Sequence, residues 1–348
     1  MTDPSARARL EPLLAAARAI KDATTEFGKR ARERLIASSG LSPEGVNLAL
    51  FRCLESEPSE PELEALIRST PRAQVAHVLL SANVFVAAHR AIAIGLAASE
   101  TVHVRASRRE PEMAELLLES APGAFQLVNE LTPHAGDRMW AYGSDETLER
   151  VAITLPPGVA FHAHGSGFGV AVIDGALPDS ELAELLPLLA EDIALFDQRG
   201  CLSPRLLLVG EGPEQARNIA QALAAELTRI EERVPRGRLT AEELAEITTF
   251  RATASFAGEV FAGGLGFVSL ALGSAWSLPP SGRNLHVLPT SNPVQSLAQL
   301  RPMITSCAFT GSAAQRNALR AALPGARLCS FGSMQTPSFD GPVDRRDS

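Results

Sequence analysis

From residue 74 onward the chain alternates short valine-rich apolar runs with segments of helical spacing, and no other feature restricts the fold as tightly. The apolar runs are AQVAHVLLS (73–81), TVHVRAS (101–107), FQLVNEL (125–131), MWAYGS (139–144), VAFHAH (159–164), FGVAVID (168–174) and PRLLLVG (204–210). Helical spacing fills the intervals at 84–99, 110–120 and from Asp145 to about Thr154. Parallel strands need a crossover between them, and helices supply it while covering both faces of the sheet. The pattern therefore predicts an α/β protein built from βαβ units, with ligands beyond the carboxyl ends of the strands. A long helix over 180–198, interrupted by Pro187, leads to Gly200-Cys201. Further helices are expected at 213–234 and 241–256, a bent strand or strand pair at 263–273, then NLHVLP, SAAQRNALRAAL and ARLCSFG before a loose charged tail. Residues 1–72 read as a helical lead-in without chemistry: apolar positions recur at helical spacing from Leu10 to Ile20, and Ser42-Pro43-Glu44 marks a helix start. The expected units are 1–72, a nucleotide-binding unit 73–198, a catalytic unit 199–330 and a tail 331–348.

Composition removes several chemistries. The two lysines are Lys21 and Lys29. A phosphate-binding Walker loop, a protein-kinase lysine and a Schiff-base lysine within the α/β region are thereby excluded. Tyr142 has no lysine four residues on, which excludes the Tyr/Lys pair of short-chain dehydrogenases. A net charge of −8 with dispersed arginines gives no reason to expect nucleic acid. Cys53, Cys201, Cys307 and Cys329 are far apart, forming neither a zinc ribbon nor a disulfide framework, so a reducing compartment is expected. The charged beginning of the chain and the lack of a long apolar run lead to the expectation of a cytoplasmic protein without a membrane span.

Cys201 stands in FDQRGCLSP, after a helix and a glycine and between Arg199 and Arg205. Guanidinium groups and backbone N–H donors lower a thiol pKa and favour the reactive thiolate. Taken alone, the residue reads first as a small buried cysteine. Its context, with LLSANVFVAA (79–88), VRASRREP (104–111), WAYGSDETLERV (140–151), HGSGFGVAVID (164–174) and ARLCSFGSMQTPSFDGP (326–342) in this order, resembles the aldehyde dehydrogenase superfamily. Within it the chain is most similar to the bacterial acyl-CoA reductases that make fatty aldehyde for luminescence. The resemblance implies a Rossmann-type parallel-sheet domain followed by a second α/β catalytic domain.

It also implies roles. Cys201 would take the acyl group as a thioester, and the Asn83 amide, with the backbone N–H of the cysteine, would hold the oxyanion, as fixed donors do where charge develops. Arg105 replaces the lysine that many relatives carry at the cofactor ribose, within Arg105-Ala-Ser107-Arg108. Arg108 falls where NAD-preferring relatives have a glutamate; an arginine there suits a 2′-phosphate, so NADPH is expected, with NADH as the alternative. Gly143-Ser144 would bind pyrophosphate at a helix start. The relatives' hydrolytic glutamate is missing from FHAHGSG, as acyl-CoA reduction without water requires.

His162 and His164 read as structural residues or as proton donors on one strand face. VGEGPEQA (209–216), with Glu211 and Glu214, reads as a turn, and Cys307 and Cys329 as core. Glu259 and Phe261 only superficially match a nicotinamide-ribose motif. The resemblance predicts reduction of an acyl-CoA, or of an acylated partner protein, to an aldehyde, and leaves a homo-oligomer open. An NAD-dependent CoA-acylating aldehyde dehydrogenase and a non-catalytic scaffold are the rival readings.

Overall fold

The computed structural model describes residues 4–175, 177–210, 212–271 and 277–346; Glu211, the end of the 263–273 run and the last tail residues lie outside this set. The lead-in forms four helices: α1 (Pro4–Lys21), α2 (Glu26–Ser39), α3 (Pro43–Cys53) and α4 (Glu60–Ser69). Asp22 ends the first of them by accepting hydrogen bonds from Thr24, and Thr25 caps the second through the Gly28 N–H at 3.0 Å. Ser42 caps α3, and a Ser59/Glu62 capping box opens α4. The apolar face of α1, from Leu10 to Ile20, is buried against neighbouring helices.

The α/β region contains β1 (Val75–Leu79), α5 (Ala87–Ala98), β2 (Thr101–Arg105), α6 (Glu112–Ser120), β3 (Gln126–Leu127), β4 (Arg138–Tyr142), α7 (Asp145–Thr154) and β5 (Ala160–His164). These five strands make one parallel sheet in the order β3-β2-β1-β4-β5. A second sheet follows with β6 (Phe168–Ile173), α8 (Asp179–Ala194), β7 (Pro204–Val209), α9 (Pro213–Arg233), α10 (Ala241–Ala257), β8 (Gly258–Gly263), β9 (Gly266–Ala271), β10 (Asn284–Pro289), α11 (Pro293–Leu297), β11 (Ile304–Thr310), α12 (Ala313–Ala322) and β12 (Arg327–Cys329). Its order is β12-β11-β6-β7-β10-β9-β8, parallel except for the β8–β9 hairpin.

Two elements differ from the expected layout. β6 and β5 are separated by three residues, yet β6 pairs with β11 and β7 rather than joining the first sheet. Burial explains the switch: every residue of FGVAVI is buried, as in a central strand, whereas AFHAH is half-buried at an edge. The second difference lies ahead of Cys201. The expected helix to residue 198 stops at Ala194, and Phe196, Asp197 and Gln198 take left-handed φ values of 55°, 49° and 67°.

Non-glycine residues in that region cost of order 1–3 kcal/mol each unless their surroundings hold them. Here the surroundings are polar and buried. Gln198 Nε2 donates to the carbonyls of Pro204 (2.6 Å) and Asn284 (2.7 Å), and its Oε1 accepts from the Asn284 N–H at 2.8 Å. The Asp197 carboxylate pairs with Arg283 at 2.8 Å and accepts from the Gly237 N–H at 2.9 Å. Arg283→Met should therefore lower stability by about 3–5 kcal/mol, because it leaves a buried charge without its partner; urea unfolding would read this as a lower midpoint.

Candidate active site

The loops following β1, β2, β4 and β5 converge at the carboxyl edge of the first sheet and meet the Gly200-Cys201 turn, enclosing a cavity of about 540 Å³. Cys201, Asn83, Ser107, Gly143 and Ser144 all line it. Arg105 and Arg108, expected at the cofactor ribose, are not among its lining residues; of this stretch Ser107 and the exposed Arg109 are. Asn83 is exposed on a loop that ends in tight turns before α5; the helix starts three residues later than its apolar pattern suggests, because Ala87 donates to the Val84 carbonyl. This loop packs directly on the Gly200-Cys201 segment: a Cβ at Gly200 would come within 3.1 Å of Val84 Cγ2. On the opposite side, a Cβ at Gly169 would lie 2.3 Å from the Leu202 carbonyl oxygen, so the chain needs glycine there to pass.

Cys201 is half-buried, and its carbonyl accepts from the Thr305 hydroxyl. Burial and then the Asp344 carboxylate push the thiol up to about 11, while Arg346 and the N–H groups of Cys201 and Leu202 pull the other way. The two arginines adjacent in sequence have other partners. Arg199 donates to the Arg238 carbonyl at 2.8 Å and pairs with Glu243, and Arg205 donates to the Pro279 carbonyl at 2.8 Å. Arg346, distant along the chain, is the cation that pulls the thiol down.

Ser144 caps α7, accepting from the Thr147 N–H at 3.3 Å, and Asp145 accepts from the Ser166 N–H at 2.7 Å, tying the helix start to the crossover after β5. Parallel register sets Tyr142 beside His164 and Trp140 beside His162, and each pair stacks, with centroids 4.7 and 4.9 Å apart. His162 Nε2 lies 3.2 Å from Arg138 Nη1. His164 lines the cavity, and its Nε2 is buried with no hydrogen-bond partner. A group left in that state costs ~1–3 kcal/mol. Burial pushes its pKa down to about 4, so the ring is neutral near pH 7.

Several lining residues carry no sequence signal. Cys53 and Glu55, from the lead-in, are among them. Arg90, buried in α5, donates to the carbonyls of Pro337 (2.7 Å), Ser338 (2.7 Å) and Gly341 (2.8 Å) and pairs with Glu55. The tail is not loose as far as Arg346. Asp344 is buried, pairs with Arg346 at 2.6 Å and lines the cavity, and Arg346 also donates to the carbonyls of Ser166 and Pro302. Glu259 instead pairs with Arg217 on the outside of the second sheet, away from the cavity. Cys307 is buried in the second sheet, and Cys329 packs against its core.

Residues 122–344 match the acyl-CoA reductase (LuxC) family. The chain belongs to that family. It is an oxidoreductase acting on aldehydes or acyl groups. Solved structures with the same fold include PnpE from Pseudomonas sp. WBC-3 (15% identity, TM-score 0.70, covering 94% of this chain and 78% of that one). An NAD-dependent benzaldehyde dehydrogenase from Corynebacterium glutamicum shares 16% identity at a TM-score of 0.68, over 96% of this chain and 81% of that one. An NADP-dependent glyceraldehyde-3-phosphate dehydrogenase from Bacillus halodurans C-125 shares 13% at 0.63, over 94% and 79%. No curated protein matches the chain by sequence. The span matched to the acyl-CoA reductase family includes Gly143, Ser144, Cys201 and Asp344 and begins after Asn83. Among the described residues no helix is long and apolar enough to cross a membrane.

Because the Asp344 carboxylate raises the Cys201 thiol, Asp344→Asn should lower the thiol pKa. Alkylation by iodoacetamide, followed against pH, should then reach its midpoint at lower pH, with a severalfold higher rate at pH 8; an unchanged profile would exclude this coupling.

Proposed function

We propose that this acyl-CoA reductase converts an acyl-CoA, or a comparable acyl thioester, to the aldehyde through an acyl thioester on Cys201, using NADPH. The observation that carries the reading is the single cavity in which Cys201 meets Asn83, Gly143 and Ser144, with a histidine rather than a carboxylate at the end of β5.

The residues fit a dinucleotide. The strand order reverses between β1 and β4, so the crevice lies at the switch point where α/β sheets hold such ligands. The N-terminus of α7, with Gly143 and the Ser144 hydroxyl, offers donors for pyrophosphate. Bound there, the nicotinamide nucleotide would supply the two-electron reduction. Arg109, beside Ser107 and Arg108, is the group best placed to favour a 2′-phosphate.

Cys201 Sγ attacks the acyl carbon, the carbon–sulfur bond to CoA breaks, and the Asn83 amide and the Cys201 N–H hold the developing oxyanion. The cavity also contains the carboxylates of Asp344 and Glu55, but each is paired with an arginine. Neither is free to activate water, which favours reductive release of the acyl-enzyme over hydrolysis.

Purified protein given acyl-CoA should oxidise NADPH and release aldehyde, and Cys201→Ala should abolish both turnover and the acyl-enzyme mass. Turnover surviving in that variant would overturn the mechanism. Arg109→Glu should shift preference from NADPH toward NADH by tenfold or more in kcat/KM if a single charged contact of about 1.4 kcal/mol is lost. Preference of the unaltered protein for NAD in the direction of acyl-CoA formation would favour the CoA-acylating, NAD-dependent alternative.

A further inference from the structure

Beyond the catalytic cavity lies a second, more open one of about 390 Å³, formed under the C-terminal segment by residues including Ser69, His162, Asp340 and Arg345. His164 and Asp344 line both cavities and are the residues the two have in common. The imidazole is therefore part of the partition between the nucleophile and a space that opens toward solvent. The faces around it are accounted for: Tyr142 stacks on it from β4, His162 shares its strand, and Asp344 and Arg346 approach from the C-terminal segment. Of its two nitrogens, Nε2 is buried without a partner, although polar groups in such positions are nearly always satisfied.

We propose that His164 is the general acid–base of the reaction and exchanges its proton with the second cavity. This rests on the acyl-cysteine reading above. During acyl transfer the neutral ring accepts the Cys201 proton as sulfur bonds to the acyl carbon. It then gives that proton to the CoA sulfur as the old carbon–sulfur bond breaks, so the transfer is proton-neutral overall. Reduction of the acyl-enzyme releases aldehyde and the Cys201 thiolate. His164, neutral again at this stage, takes up a proton from solvent through the second cavity and passes it to that thiolate, which accounts for the one proton the overall reaction consumes. Asp344 steadies the transient imidazolium, since opposite charge nearby favours the protonated ring.

The half-reaction isolates this role from the nucleotide. Full-length protein would be mixed with acetyl-, octanoyl- or hexadecanoyl-CoA without nicotinamide nucleotide, and acyl-enzyme mass and free CoA thiol followed in a single turnover. His164→Phe keeps the ring stack on Tyr142 but removes both nitrogens, and should slow acylation by about 10²-fold or more. His164→Ala should be equally slow and should recover on addition of imidazole. Wild-type rates in both variants, or slow acylation that imidazole does not restore, would overturn the assignment. Failure of the unaltered protein to acylate Cys201 with any of the three thioesters would overturn the underlying acyl-cysteine reading and this inference with it.

Discussion

The buried pair between Asp197 and Arg283 holds the turn on which the rest of the site depends. Asp197 is the middle of three successive residues in left-handed conformation, and together with the Gln198–Asn284 hydrogen bonds the pair reverses the chain after α8 and brings Gly200-Cys201 to the sheet boundary. A continued helix would have carried the cysteine elsewhere. Arg283 also bonds Glu231 at 2.9 Å and the Val234 carbonyl at 2.6 Å, so the turn is anchored to α9 as well as to the start of β10. Local strain next to Cys201 is thus offset by buried polar contacts spread across the second sheet.

A second set of contacts closes the site from the C-terminal side. Asp192 in α8 accepts from the N–H groups of Gly332 (2.7 Å) and Met334 (3.1 Å), Arg90 holds three carbonyls between Pro337 and Gly341, and Arg346 fixes the crossover after β5. Burial pushes the Asp192 carboxyl up to about 7, although the backbone donors act against this. These anchors come from both halves of the α/β region and surround the cavity. The lead-in has a comparable part, because α1 packs on α5 and α6 and Glu55 completes the Arg90 site. In this chain the peripheral segments supply part of the wall around Cys201.

Much of the fold was legible because its causes are local. Valine-rich runs with intervening helical spacing record strands covered on both faces, and Ser42-Pro43 is a helix start whose function needs only the next few residues. Cys201, Asn83, Gly143 and Ser144 were legible through an ordered set of motifs, and the structure brings them to one cavity. Arg105 and Arg108 show the limit of that reasoning. On a strand end followed by a tight turn, a difference of one residue decides which arginine lines the crevice, and of this stretch it is Arg109. The influence of Arg346 on Cys201 carries no local signal for a related reason, since groups far apart along the chain come to share one site.

The sequence by itself determined the α/β class, the helical lead-in, the absence of lysine chemistry and the candidate nucleophile, because periodicity and residue chemistry are carried by short stretches of chain. Only the tertiary structure decided that β6 leaves the first sheet, that α8 ends in a left-handed turn, and that Asp344, Arg346, Arg90 and Glu55 gather around Cys201 and His164. Those outcomes depend on which strand is central, on buried charges finding partners far away in sequence, and on the electrostatic environment their packing creates.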